Sequence, residues 1–296
     1  MPDLADRLSG AVWGHLIGDA MGVPYEFAPA SAIQRVEWGH RGSHNQPPGT
    51  WSDDGALMLA LLDSLLTAGL DLDDQGRRAL TWLSGRGYAP GPLFDIGNTT
   101  NAALQRLKHG VPAVEAGGAA ENDNGNGSLM RILPVALVYR DYAEDTMVEH
   151  AMICSSLTHR HPRSQVACAA YCLVASALLK GDEPQQALNN AFASLRRTAG
   201  GPNVPELDAL ERFTRRTGSG YVLDTFWSAW SAFSDSRSYP ETIERAIHFG
   251  GDTDTTAAVA GGLAGICWGW SGIPAQWLSG MRGREIVEPL VARLIA

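Results

Sequence analysis

The chain is poor in cysteine: four in 296 residues, none in a CxxC spacing, which excludes a disulfide framework and argues against a zinc ribbon. Cys168 and Cys172 fall one helical turn apart in an apolar stretch and, with Cys154 and Cys267, read as reduced core residues. Basic charge is also scarce. The formal net charge is -9, and the short clusters Arg160/Arg163, Arg196/Arg197 and Arg215/Arg216 are too sparse to form a stripe along a phosphate backbone, so nucleic acid is not an expected partner. No basic segment followed by an apolar one opens the sequence, so no export signal is expected and the expected location is cytoplasmic. The longest apolar run, residues 257–270, is Gly-rich and falls short of the roughly 20 residues that span a bilayer, so it is expected to be a buried helix and no membrane partner is expected. Strand-like alternation is nearly absent. No Pro-, Gly- or Ser-rich linker and no internal repeat divides the chain, so a single domain over 1–296 is expected.

What is there is apolar and helical. Hydrophobic residues make up 45% and charged residues 19%, a globular composition. Leu57, Met58, Leu61, Leu62, Leu65 and Leu66 form one stripe at helical spacing, and Val166, Ala169, Ala170, Leu173, Val174 and Leu178 form another. Prolines near first turns at Asp182-Glu183-Pro184, Pro205-Glu206 and Tyr239-Pro240-Glu241 mark helix starts. About a dozen helices are expected, with irregular stretches at 27–50, 84–97 and 110–125. Each of these runs into a polar cluster at a helix start, where a rigid scaffold would hold functional groups.

Ser52-Asp53-Asp54-Gly55 precedes a helix expected to start near Ala56. Two adjacent carboxylates and a hydroxyl are a hard oxygen set suited to Mg²⁺, Mn²⁺ or Ca²⁺, although Ser and Asp are also ordinary helix caps. Gly250-Gly251-Asp252-Thr253-Asp254-Thr255-Thr256 precedes a second helix, one rich in small residues, and offers more oxygens than a cap requires. Packed together without a cation, the two acidic sets would repel, so their pairing favours a metal site over capping. Glu26, where the first helix gives way to a loop, either completes that site or is solvated. Asp19 is expected to hold a neighbouring loop through hydrogen bonds. Gly125-Asn126-Gly127-Ser128 is expected to lead into a helix at Leu129, a place for a phosphate or an ordinary turn. Asp95-Ile96-Gly97-Asn98 makes a similar turn, and His159 faces a ligand or is satisfied structurally.

In this order, from Gly14-His15-Leu16-Ile17-Gly18-Asp19 to Asp252-Thr253-Asp254-Thr255, these segments resemble the ADP-ribosylglycohydrolase family. The resemblance implies an all-α fold, one compact orthogonal multi-helix domain, with two divalent ions, Mg²⁺ or Mn²⁺, in a central cleft. Its implied metal ligands are Ser52, Asp53, Asp54, Asp252, Asp254 and Thr255, and its implied ADP-ribose contacts are Gly97, Asn98, Asn126, Gly127, Ser128 and His159. Tyr221 resembles a position that covers the nucleoside, or else packs in the core. Glu26 and Asp95 are the implied proton-handling carboxylates, acting beside Asp252 and Asp254. The implied reaction removes ADP-ribose from modified protein side chains, arginine first among them, with serine-linked or nucleic-acid-linked substrates and non-catalytic ADP-ribose binding as alternatives. A dinuclear phosphohydrolase would share the metals but not the Gly-Asn turns. The family usually reads Thr-Asp-Asp-Thr where this chain has Ser52-Asp53-Asp54-Gly55, so a hydroxyl behind the metals is missing.

Overall fold

A computed structural model describes residues 2–198 and 200–296. Among them the chain forms fifteen α-helices: α1 (Leu4–Gly22), α2 (Asp53–Ala68), α3 (Leu72–Leu83), α4 (Asn98–Lys108), α5 (Ala113–Ala116), α6 (Leu133–Val138), α7 (Glu144–Ser156), α8 (Pro162–Lys180), α9 (Pro184–Thr198), α10 (Asn203–Arg212), α11 (Val222–Ser234), α12 (Tyr239–Ile247), α13 (Thr253–Trp268), α14 (Ala275–Gly280) and α15 (Arg284–Ile295). Extended pairing among the described residues is limited to three isolated bridges, Pro29 with Gly250, Gly118 with His159 and Gly125 with Tyr221. The all-α class expected from the sequence is the class found.

Two helices, α1 and α13, form the axis of the fold. Both are buried on all sides over most of their length, as expected of helices apolar all round. Glycine recurs every fourth residue on α1, at Gly10, Gly14, Gly18 and Gly22, and so lines one face. A Cβ on Gly10 would lie 2.3 Å from the Gly265 carbonyl oxygen, one on Gly14 2.5 Å from that of Gly261, and one on Gly18 2.1 Å from that of Ala257. The rising numbers meet falling ones, so the helices run antiparallel with their backbones touching. Only glycine permits that approach. Gly18→Ala is therefore expected to push the axis apart and lower stability by about 1–3 kcal/mol, the usual range for overpacking, which thermal unfolding would read as a lower Tm.

The other helices wrap this axis. Helices α8, α11 and α12 pack on α13, whereas α2 and α15 pack on α1. Arg7 of α1 is buried and donates to the carbonyls of Ile266, Leu178 and Leu179, so one guanidinium closes the C-terminal ends of α13 and α8. The run at 257–270 belongs to α13, and among the described residues no helix is long and apolar enough to cross a membrane. Three of the four cysteines are buried, all four are free, and Cys267 is partly exposed.

Two helix starts differ from the expectation. Helix α2 begins at Asp53, three residues earlier than Ala56, because Ser52 caps it by accepting from the Asp54 amide at 3.2 Å. Residues 127–131 are turns, and the helix placed at Leu129 starts at Leu133. Pro134 explains the delay. Its ring is tolerated only in a first turn, so a helix running in from Leu129 would place it too deep.

Candidate functional site

The axis determines where the acidic residues meet. A Cβ on Gly22 would lie 2.3 Å from the Asp254 Cα, and the Thr253 hydroxyl donates to the Gly22 carbonyl at 2.8 Å, so the end of α1 is seated on the start of α13. Asp19, one turn earlier, accepts from the amides of Ser52 at 2.9 Å and Gly55 at 2.8 Å. That fully buried carboxylate pins the start of α2 beside the start of α13, as the sequence suggested. The Thr255 hydroxyl then donates to Asp54 Oδ1 at 3.2 Å, across 201 positions of chain.

The result is a cleft of about 350 Å³ lined by Glu26, Asp53, Asp54, Asp95, Asp252 and Thr255 on its acidic side. Oxygen atoms of Glu26, Asp252 and Asp254 all lie within 4.8 Å of one another. Oδ2 of Asp54 and Oδ2 of Asp254 are buried with no hydrogen-bond partner, an arrangement that costs free energy unless a cation completes it. Among the described residues no Lys or Arg lines the cleft. The donor set is all oxygen, which matches a hard divalent ion. These clusters could hold a metal.

The electrostatics agree. Burial, then the neighbouring Asp19 and Asp53, pushes the Asp54 carboxyl well above the usual range. Asp254 is raised in the same way by burial and by Glu26 and Asp252, and Asp53 by burial and by Asp95 and Asp19. Burial raises Glu26 to about 10, with Asp95 and Asp252 adding to the shift. Asp19 reaches about 7 through burial, opposed by the Ser52 and Gly55 amides. Without a cation these groups therefore favour their protonated forms.

The polar wall of the cleft is formed by Gly97, Asn98, Asn126, Gly127 and His159. Asn126 donates to Asp252 Oδ2 at 2.8 Å and to the Thr225 hydroxyl at 3.0 Å, so it orients a carboxylate as well as lining the wall. His159 is buried. The Thr158 hydroxyl accepts from Arg131 at 2.8 Å and lies 2.8 Å from His159 Nδ1. The other ring nitrogen, Nε2, faces Gly125 and Gly127. Burial, reinforced by Arg131, lowers His159 to about 3. It is thus a neutral ring at the cleft wall across the physiological range.

Several residues named from the sequence lie behind the cleft or beside it. Ser128 is fully buried and its hydroxyl is bound by Ser155 at 2.9 Å, so the side chain braces the wall from behind. Ser52 is spent on the α2 cap. Asp254 is 1% exposed and does not line the cleft, although its carboxylate lies within 4.8 Å of that of Asp252. Tyr221 caps α11 and faces an adjoining recess, where its hydroxyl accepts from Arg163 at 3.1 Å and its ring lies 5.6 Å from that of Phe213. This recess shares Asn122, Gly125 and Gly220 with the cleft. Gly55 has no room for the missing threonine. A Cβ there would meet Leu16 Cδ2 at 2.6 Å and Trp51 Cδ1 at 2.8 Å.

Two features were not evident from sequence. His44 hydrogen-bonds Glu26, and oxygen or nitrogen atoms of Glu26, His44 and Asp95 lie within 4.8 Å of one another. Residues 23–45 fold back on themselves through Ser43, which donates to the Pro24 and Val23 carbonyls, and no spacing rule marks that. The recess residues Phe213 and Arg215 likewise carry no motif.

The fold and the cleft define an all-helical protein whose acidic helix starts converge on a cleft with a polar wall. The sequence profile of the ADP-ribosylglycohydrolase family matches residues 1–296, and the chain belongs to that family. It is 31% identical over 292 residues to the ADP-ribosylarginine hydrolase Tri1 of Serratia proteamaculans, covering 98% of this chain and 79% of that one. It is 30% identical over 284 residues to the ADP-ribosyl-[dinitrogen reductase] glycohydrolase of Rhodospirillum rubrum, covering 94% and 91%. A solved ADP-ribosylglycohydrolase-related protein complex superposes with a TM-score of 0.82 at 31% identity, covering 100% of this chain and 99% of that one. The family and these relatives support an ADP-ribosylhydrolase.

Proposed function

We propose that the chain acts as one domain over 1–296, cytoplasmic, that uses two divalent ions to release ADP-ribose from arginine side chains of modified proteins. The reading is carried by two buried, unpartnered carboxylate oxygens, one on Asp54, which lines the cleft, and one on Asp254, whose carboxylate lies within 4.8 Å of those of Glu26 and Asp252 on the cleft lining. Asp53, Asp54, Asp252, Asp254 and Thr255 would hold the ions, with Ser52 fixing the backbone of the first pair. Mg²⁺ or Mn²⁺ would supply Lewis acidity towards the ribose hydroxyls and the attacking water.

The chain's own residues do the rest. Carboxylates beside the terminal ribose stabilise the positive charge that a departing N-glycoside leaves on the sugar. Glu26 keeps its proton at neutral pH in the metal-free cleft, and with Asp95 it is placed to exchange a proton with the leaving group. Gly97, Asn98, Asn126, Gly127 and His159 would receive the diphosphate and inner ribose. Tyr221 and Phe213 in the adjoining recess would receive the base. If so, His159→Phe, which keeps a ring and removes its nitrogens, is expected to weaken ADP-ribose binding by about tenfold or more, the range for a hydrogen bond to a charged group. Calorimetric titration with ADP-ribose measures it.

Support for the arginine linkage comes from the two named relatives, an ADP-ribosylarginine hydrolase and an ADP-ribosyl-[dinitrogen reductase] glycohydrolase. The test is release of ADP-ribose from arginine-, serine- and nucleic-acid-linked substrates, each with and without EDTA. Metal-dependent release from arginine alone, or from arginine fastest, is the expected result. Full activity in EDTA, or release only from another acceptor, would overturn the reading.

A further inference from the structure

Directly after Glu26 stands Phe27, whose ring is 70% exposed and whose backbone has φ 67°. The left-handed region is unfavourable for a residue with a Cβ, and an exposed aromatic ring contributes nothing to a core. Such an outlier persists where the surroundings impose it. Here the Phe27 amide donates to the Gly251 carbonyl at 2.7 Å, and Pro29 bridges to Gly250, so the loop before Asp252 fixes the backbone that carries the ring.

The ring is part of a row. His44 lies 5.6 Å from Phe27 and 5.2 Å from Phe94, measured between ring centroids, and both pairs are tilted. Phe94 is followed by Asp95, itself at φ 55°. Of these rings His44 reaches the two carboxylates that border the cleft, Glu26 and Asp95, while Phe27 and Phe94 are their neighbours in the chain and pack against His44. Among the described residues no Lys or Arg lines that cleft.

We propose that the row Phe27, His44 and Phe94, with Glu26 and Asp95, is the subsite for the acceptor side of the bond and selects a guanidinium group. This rests on the arginine reading above and adds the residues that would enforce it. A guanidinium is planar, weakly hydrated and always charged, so it stacks on aromatic faces while its N–H groups donate to carboxyl oxygens, whether or not the carboxyl carries a proton. A serine-linked acceptor offers neither charge nor plane, and the row would leave it unheld.

The test uses the metal-loaded full chain as wild type and as Phe27→Leu, Phe27→Gly and Phe27→Tyr. Agmatine, a free alkylguanidinium, is titrated into protein saturated with ADP-ribose, and KM is measured on arginine-linked substrate. The Leu and Gly variants are expected to lose roughly three- to thirtyfold in agmatine affinity and to raise KM by a similar factor, the range of one cation–π contact. Phe27→Tyr keeps both, and ADP-ribose affinity alone changes less than about twofold in every variant. Phe27→Gly is expected to raise Tm, since glycine relieves the left-handed backbone, an effect that a packing role for the ring would reverse. Unchanged agmatine binding in the Leu and Gly variants, no agmatine binding in the wild type, or an equal loss of ADP-ribose affinity would overturn the subsite. Agmatine binding that depends on Phe27, with no turnover of arginine-linked substrate, would instead overturn the proposed reaction and leave the subsite standing.

Discussion

Asp252→Asn is expected to reduce ADP-ribose release by on the order of 10²–10³-fold or more, the usual loss when one group that stabilises transition-state charge is removed. Asp252 is the junction of the site. One of its oxygens accepts from Asn126, its neighbours Glu26 and Asp254 lie within ligand distance, and its backbone carbonyl accepts from Thr256 in the first turn of α13. The amide preserves shape and removes charge. Thermal unfolding of the variant without metal should therefore show no loss of stability, and a gain is expected above neutral pH because one repelling carboxylate is gone. A variant that unfolds readily would mean that Asp252 acts as a structural cap. A variant that keeps full activity would remove the acidic cluster from the reaction.

The second large effect is on stability as a function of pH and metal. Asp53, Asp54, Asp252 and Asp254 all have raised carboxyls, Asp19 is raised to about 7 and Glu26 to about 10. A carboxyl raised in the folded state binds its proton more tightly there than in the unfolded chain. Its stabilising contribution is complete below the unfolded value near 4 and is lost as pH rises through the folded value. Metal-free protein is thus expected to lose stability steadily from pH 5 to pH 8, the reverse of a protein whose carboxylates are paired. A divalent ion should cancel this slope by taking the place of the protons. At about a thousandfold excess over its dissociation constant an ion adds about 4 kcal/mol, or a rise in Tm on the order of 10 °C for a chain of this size. Scanning calorimetry at pH 5, 6.5 and 8, in EDTA and in Mg²⁺ or Mn²⁺, reads both effects. A flat Tm in EDTA together with no response to either ion would remove the metal site.

The parts of this site that could be read from sequence were those whose chemistry is local. Each Asp cluster sits at a helix start, so its oxygens are close in sequence and close in space, and the apolar stripes of α2 and α8 have a fixed period. The four-residue glycine repeat on α1 was equally visible but acquires meaning only against Gly261 and Gly265, 240 and more positions away. Segment 125–134 misled for a local reason: the Gly-Asn turn reads as the lead into a helix at Leu129, while Pro134 decides where α6 begins. His44 was beyond reach, because its approach to Glu26 depends on how residues 23–45 fold back, which is set by backbone bonds from Ser43 and not by any pattern of residue types. Tyr221, read as either nucleoside cover or core packing, stands in the recess against Phe213, and only tertiary geometry reveals that the recess opens off the cleft.

The glycine-lined contact of α1 with α13 also governs when the cleft can exist. During synthesis α1, Asp19 and the Asp53/Asp54 pair leave the ribosome long before Asp252, so a growing chain carries an incomplete set of oxygens on a helix whose partner has not been made. Contacts that span more than 200 positions form slowly. For most of its time as a nascent chain the protein is therefore expected to expose the bare glycine face of α1 and to hold no ion tightly. The onset of catalysis would then coincide with completion of the last quarter of the chain.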